Sequence, residues 1–456
     1  MKPSAAQPVN QQRVRASMDV LSVFNLLTDD RFFDKLLDEL PEHRERVYPP
    51  IQTLAMFVMQ ALSDDASCRK VVDEHIAYCA RHGLRAPSSS TAAYCEARQR
   101  LPLRVVSELH YGVARVAMDT MAPAAPKAAD MTTLLVDGTG FSMPDTQANQ
   151  QCFAREANQA EGCGFPGGRL VSFVCEKTGV IVDSHVSEKH GKGGGENTGF
   201  RVLLERCEPE TLLVGDAIYE NFYNWVFLEK VHCHGIFEIN GARALPRKIP
   251  KRVTLKKPRR CPDWMHEEAY AELPNTLEVR LVVCKRHNRR DKILVTSLLD
   301  KKRHSDDAIR CTFRKRWDIE VDYRSFKDTL GAGILSCRTP PMILKELAIH
   351  ILAYNLIRLL ICEAALAARI EPRRISFRHT QQCWCSWVLQ SVHLDDKNWQ
   401  LLLERIAQHR VRNRPGRSEP RAVKRRPKRT TWLDLPRKYA RMAAHAYERG
   451  GLQSAV

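Results

Sequence analysis

The sequence predicts an α/β protein in which a central sheet follows a helical segment and a strongly basic segment closes the chain. Three observations carry that expectation. Apolar residues keep helical spacing up to about residue 120, short β-branched runs separated by helical stretches follow, and this alternation breaks at Arg243. In the first part, Val20 to Leu40 and Ile51 to Leu62 are apolar at helical spacing, and Pro49-Pro50 stands where a helix begins. Ser88-Ser89-Ser90-Thr91 offers N-caps for a helix over Ala92 to Arg100. Met121 to Lys127, with two prolines, reads as a linker.

Beyond the linker, Thr133 to Val136 is a strand-like run ending in Asp137, and Leu212 to Val214 is another ending in Gly215-Asp216. Leu170 to Val174 and Val180 to Val182 flank a turn at Lys177-Thr178-Gly179, and Gly235 to Ile239 is a further run. Helical stretches near Phe200 to Glu208 and over Asn221 to Lys230 separate them, which is the pattern of an α/β core. From Arg243 to Arg260 nine basic residues occur with no acid, then two strand-like runs follow at Leu277 to Cys284 and Lys292 to Leu298. This reads as a basic, β-rich insertion in the core. Asp307 to about Leu330 and Ile343 to Ala367 read as long helices. Arg410 to Arg429 holds ten basic residues with Glu419 the only acid, and Pro415, Pro420 and Pro427 prevent a continuous helix. A charge run is a solvated tail by default, but in a chain already this basic a DNA-tracking segment is favoured.

At 456 residues the chain exceeds one compact core and implies two to four domains. Its 44% hydrophobic and 27% charged residues exclude disorder throughout. The 71 Lys and Arg against 53 Asp and Glu leave a net charge of +18, which points to a polyanion, nucleic acid ahead of an acidic membrane surface. No run approaches the ~20 apolar residues of a membrane span. Met1 to Arg15 lacks the apolar stretch of a signal peptide, so no membrane partner and a cytoplasmic location are expected. The 15 cysteines, odd in number and scattered, argue for a reducing compartment. Cys383-Trp384-Cys385 is too tight for a zinc knuckle and Cys233-His234 has no second pair, so buried free thiols are favoured over a structural zinc.

The chemistry rests on three carboxylates. Asp137 and Asp216 each end an apolar run, and strand ends place side chains at the rim of a sheet, although Asp is also a common turn residue. Phe313 to Leu330, taken as one helix, has two polar arcs. With Arg316 at zero, Lys327 falls at about 20°, Glu320 at about 40° and Phe313 at about 60°. A wider arc near 200° holds Arg314, Asp318, Asp322, Ser325 and Thr329, with Trp317 and Val321 on one shoulder and Ile319, Phe326 and Leu330 on the other. The wide arc is the natural solvated face. The narrow arc then lies among buried groups, where charge serves a site or an internal ion pair.

Three acids with Arg and Lys beside them suit Mg²⁺-assisted phosphoryl displacement. Glycosidase pairs lack a basic surround, and no Gly-x-Ser-x-Gly elbow, Rossmann or Walker fingerprint occurs. Gly191-Lys192-Gly193-Gly194-Gly195 lacks the Lys-Ser/Thr ending of a phosphate loop and reads as a flexible loop.

At these residues the chain resembles the DDE transposases of bacterial insertion sequences, in the insertion-sequence-four group. The group's Tyr-x2-Arg-x3-Glu-x6-Lys signature appears as Phe313-x2-Arg316-x3-Glu320-x6-Lys327. Asp137-Gly138-Thr139 is similar to the first aspartate context and Gly215-Asp216-Ala217-Ile218-Tyr219 to the second. Leu294 to Asp300, Ala353 to Arg358 and Glu419 to Lys428 also look like family segments, and the likeness spans about Leu54 to Arg441.

The resemblance implies an RNase H-like catalytic core interrupted by a β-rich insertion, with a helical N-terminal DNA-binding domain and a helical, basic C-terminal region. The corresponding spans are 1–120 for the N-terminal domain, 128–242 for the first part of the core and 243–305 for the insertion. The second part of the core, 306–370, carries the glutamate, and 371–456 is the basic C-terminal region. It further implies two Mg²⁺ ions, with Mn²⁺ able to substitute, held by Asp137, Asp216 and Glu320. Arg316, Lys327, Arg324, Arg425 and Arg426 would contact DNA, and a homodimer would form on it. Some relatives stack a flipped base on insertion-domain tryptophans; Trp264 is the only one in this insertion, and packing is its favoured role. Phe313 replaces the usual Tyr and Asp216-Ala217 replaces a frequent Asp-Arg, which removes one hydroxyl and one basic contact. A cut-and-paste transposase is the leading reading; a metal-dependent nuclease of the same fold and a non-catalytic DNA-binding protein are the alternatives.

Overall fold

The computed structural model describes residues 47–122, 131–153, 164–188, 195–241, 249–285, 291–390 and 396–411, with 438, 439 and 442. The expected helix over Val20 to Leu40, most of the linker, glycine-loop residues 191–194 and most of the basic run after Arg410 lie outside the described residues.

Four helices precede the sheet: α1 Pro50–Leu62, α2 Cys68–Arg81, α3 Ala92–Arg100 and α4 Leu103–Met121. Pro50 opens α1 from an extended Pro49, where its missing N–H costs no helical bond. The Ser67 hydroxyl caps α2 by accepting from Lys70 N. For α3 the serine run contributes differently from a plain N-cap: Thr91 makes no side-chain cap, and Ser90 Oγ accepts from Ala92 N at 3.3 Å.

The strands are β1 Thr132–Ser142, β2 Gly167–Cys175, β3 Ile181–Glu188, β4 Thr211–Gly215, β5 His234–Glu238, β6 Arg252–Lys256, β7 Thr276–Cys284 and β8 Lys292–Thr296. Helices α5 Gln147–Cys152, α6 Glu196–Leu204, α7 Phe222–Lys230 and α8 Glu267–Ala271 lie between them. One sheet holds all eight strands in the order β3-β2-β1-β4-β5-β8-β7-β6. β1, β2 and β3 pair antiparallel, β4 and β5 run parallel to β1, and β8 returns antiparallel to β5. The basic segment after Arg243 therefore extends the same sheet through β8, β7 and β6.

Two local expectations need correction. Asp137 is not at a strand end: β1 continues to Ser142 because β2 pairs with it as far as Ser142↔Gly167. Its pairing with β4 stops at Leu135↔Val214, so Asp137 does stand just past the parallel ladder. Helix α6 begins at Glu196, a turn earlier than its apolar residues suggest, because its first turn is polar and does not register in the apolar periodicity.

The glutamate segment differs more. It is α9 Asp306–Arg314, a 3₁₀ turn Lys315–Trp317, α10 Asp318–Arg324 and a π turn Ser325–Thr329, not one helix. Its faces depart from the expected division in part: Arg316 on the narrow arc is buried and Arg314 on the wide arc exposed, as expected, but Glu320 is exposed. Asp322, on the arc expected in solvent, is 1% exposed, while Trp317 is 58% and Val321 52% exposed. Ile319, Tyr323, Phe326 and Leu330 form the buried side. Asp322 turns inward because it ion-pairs with Arg358 and, at 3.0 Å, with Arg373. Arg373 also donates to the carbonyls of Glu176 and Cys175, and Tyr354 to that of Gly179, so the cluster binds the β2–β3 turn. Gly179 adopts φ +77°, and a Cβ there would stand 2.9 Å from Arg358 Cζ, so only glycine leaves that guanidinium in place.

Arg358 lies on α11 Pro340–Ala368, whose residues are buried nearly all round. This helix is long and apolar enough to cross a membrane by length and composition, but Lys345, Glu346, His350, Asn355 and Arg358 interrupt its apolar run, and it is the core helix, packed against α1, α4 and β3. Its polar side chains are engaged inside the protein. Lys345 Nζ donates to the carbonyls of Arg98 and Gln99 at the end of α3, and Glu346 accepts from Ser336 and Cys337 N–H groups. Asn355 binds both backbone groups of Ile181 and the carbonyl of His110. Helices α12 Phe377–Leu389 and α13 Asp396–Gln408 complete this layer, and Gln381 donates to Leu62 O at the end of α1.

Removing one partner of the buried cluster leaves an uncompensated charge. Asp322→Ala should cost about 3–5 kcal/mol in urea denaturation, and adding Arg358→Met should return part of that loss. His110 gives a pH signature. Burial, then Arg206, lowers its pKa from 6.5 to about 3, so the folded protein keeps it neutral while the unfolded chain takes a proton. Stability should fall as pH drops from 6.5 toward 3, and His110→Phe should flatten that slope by up to about 1.4 kcal/mol per pH unit.

Candidate active site

The site forms where β1 and β4 part. Asp137 is half-buried in β1, and Gly138 N donates to its Oδ1 at 2.8 Å. Asp216 follows the last residue of β4, and Ile218 N donates to its Oδ1 at 2.9 Å, closing a turn that holds the carboxylate at the sheet rim. Burial pushes the Asp137 carboxyl up to about 6; the Gly138 N–H offsets this, the charges of Asp216 and Glu196 add to it, and Arg316 opposes it. Asp137 thus lies within electrostatic reach of Asp216, Glu196 and Arg316.

Glu320 is tied to this group through Arg316. Arg316 Nη2 approaches Glu320 Oε1 at 3.5 Å, with the Glu320 side chain 42% exposed and that of Arg316 10%. The Nε of Arg316 is buried with no hydrogen-bond partner. Below them, Tyr323 O–H donates to Asp137 O at 2.7 Å and fixes α10 to β1. Among the described residues no three His, Cys, Asp or Glu side chains stand close enough to share one ion.

Sequence reasoning missed Glu196, on the first turn of α6. Its carboxylate pairs with Arg169 at 3.0 Å and lies beside Gly138 and Tyr219. Burial pushes its pKa up, Arg169 opposes that and Asp216 adds to it. Its one signal in the chain was a lone acid after the glycine loop.

Residues 128–356, half of the chain, match the transposase DDE domain family. The chain belongs to this family. It is of the insertion-sequence-four type: it is 26% identical over 318 residues, 67% of its length and 68% of the relative's, to "Transposase InsG for insertion sequence element IS4" of Escherichia coli strain K12. The solved piggyBac transposase synaptic complex with hairpin DNA aligns over 88% of this chain and 87% of that one, with a TM-score of 0.41 and 10% identity.

The remaining predicted residues of this DDE transposase are dispersed. Arg324 is exposed at the end of α10, and Lys327 is half-buried in the π turn with its methylenes against Gly333. Phe313 is buried, with Lys292 Nζ 5.9 Å from its ring. Trp264 is 45% exposed. Its ring carries the Arg201 guanidinium at 3.7 Å and meets Tyr223 edge-on at 5.3 Å, which gives it a packing contact and an open edge. Arg425 and Arg426 lie outside the described residues. The described cysteines are free thiols.

Tyr323→Phe removes one buried hydrogen bond and should lower stability by about 1 kcal/mol in thermal or urea unfolding.

Proposed function

We propose that this chain is the DNA transposase of its own insertion sequence. It binds the terminal repeats, cleaves the element ends by Mg²⁺-dependent hydrolysis and joins the freed 3′-hydroxyl ends to target DNA. The observation that carries this reading is Asp137, held up at about 6 chiefly by burial and further by the charges of Asp216 and Glu196, in a chain of the DDE family.

The order of the first five strands, with β1–β3 antiparallel and β1, β4 and β5 parallel, supports an RNase H-like core over 128–242 and 306–370. β6, β7 and β8 would then be the insertion over 243–305, with a DNA-binding N-terminal domain over 1–120 and a basic C-terminal region over 371–456.

The donor set fits a hard divalent cation. Carboxylates that repel one another around a single buried guanidinium gain most from a small doubly charged ion. Asp137, Asp216 and Glu320 would hold two Mg²⁺, or Mn²⁺, which when bound supply Lewis-acid charge for water and for the leaving oxygen. The chain's own groups do the rest. Arg316, paired with Glu320, adds positive charge beneath the site, and half-buried Lys327 and exposed Arg324 would extend the cationic surface along the strand. The open edge of Trp264 offers a stacking surface to a base, and Arg425 and Arg426 lie in a segment suited to the DNA backbone. DNA is the partner, in a homodimer that pairs two ends, in the bacterial cytoplasm at the nucleoid.

The test is cleavage in Mg²⁺ of a plasmid carrying the gene's flanking sequence. Wild type should release the flanked segment, while Asp137→Ala and Glu320→Gln should slow cutting at least about a hundredfold with DNA binding kept. Cutting by Glu320→Gln at the wild-type rate would refute the site. Nicking without release would identify a nuclease, and binding without cutting a non-catalytic protein.

A further inference from the structure

The two aspartates sit on separate segments, β1 and the turn after β4, and the first turn of α6 touches both. Glu196 lies against Gly138: a Cβ there would stand 2.7 Å from Glu196 Cδ and Cγ and 2.8 Å from Oε1. Arg169, the β2 residue paired with Gly140, holds this carboxylate at 3.0 Å. Tyr219 O–H reaches its other oxygen at 3.5 Å, three residues beyond Asp216. The next residue continues the grip. Asn197 Nδ2 donates to Ile218 O at 3.1 Å, and its Oδ1 accepts from Asn221 Nδ2 and Asn224 Nδ2 at 3.1 and 2.7 Å.

We propose that Glu196 is a positioning residue of the carboxylate site: wedged against Gly138 and anchored by Arg169, it sets the separation of the Asp137 and Asp216 segments. The contact also accounts for the glycine after Asp137, because any side chain at 138 would occupy the space of the Glu196 carboxylate. Glu196 acts through the aspartates and not on the substrate. The assignment rests on the reading of Asp137 and Asp216 as the metal-holding pair.

Two measurements on the full-length protein test it, and neither requires DNA cleavage. The first is thermal unfolding of Gly138→Ala, Glu196→Ala and the double variant. Gly138→Ala should melt below wild type, and Glu196→Ala added to it should restore most of the loss, since it vacates the contested space. A double variant that melts no higher than Gly138→Ala would overturn the wedge. The second is the rise in melting temperature with added MnCl₂. Glu196→Ala should need about tenfold more MnCl₂ than wild type for the same rise, while Glu196→Gln, which keeps the shape, should stay nearer wild type. A wild-type response in Glu196→Ala would overturn the positioning role. A wild-type response in Asp137→Ala would overturn the metal reading and this role with it, and the unfolding comparison would still decide the contact.

Discussion

Asp322 stands between Arg358 and Arg373 in the interior, and the placement of the glutamate segment depends on that cluster. A buried carboxylate between two guanidiniums is stable only as a complete set, because each charge lost leaves another uncompensated. The set draws on three regions: α10 supplies Asp322, the centre of α11 supplies Arg358, and the 3₁₀ turn Pro372–Arg374 supplies Arg373. Arg373 and Tyr354 add the carbonyls of the β2–β3 turn. The segment two residues from Glu320 is thereby fixed to the sheet that carries Asp137.

The same cluster sets what the opposite side of α10 can do. With Ile319, Tyr323 and Phe326 also facing inward, Glu320 is left at the surface beside Arg316. An acid there can meet a cation or a phosphate-bound ion without crossing the core. Asp137 is held differently, half-buried and raised by burial and by neighbouring acids. Under the proposed function, a site with one accessible and one desolvated carboxylate would favour a cation, since the ion gains from the charge and the protein is relieved of repulsion. The 3₁₀ and π turns that bracket α10 change its phase, and such interruptions often occur at functional positions.

Much of the local structure was legible in the chain. The proline pair before α1, the turn at Gly179 and the strand ending at Asp216 were all visible as residue types with fixed backbone preferences. The signature around Glu320 was legible as spacing. The orientation of that segment was not: its two polar arcs looked alike to a helical wheel, and the arc taken for solvent holds the most buried acid. Glu196 was also hidden, because a polar first turn carries no apolar periodicity, and its importance lies in contacts with Gly138 and Arg169 across the sheet.

The sequence by itself determined most strands and helices of the core, the strong basic charge and the place of Asp216 at a strand end. Those properties follow from local backbone preference and from composition, which each segment carries alone. Tertiary structure decided which face of α10 is inward, that the segment after Arg243 adds strands to the same sheet, and that Asp137 lies within a strand and not at its end. Those outcomes depend on partners 36 and 51 residues away for Asp322, and on which neighbouring strand pairs furthest for Asp137. A buried charge is placed by the countercharges it meets, and no periodicity in its own segment encodes them.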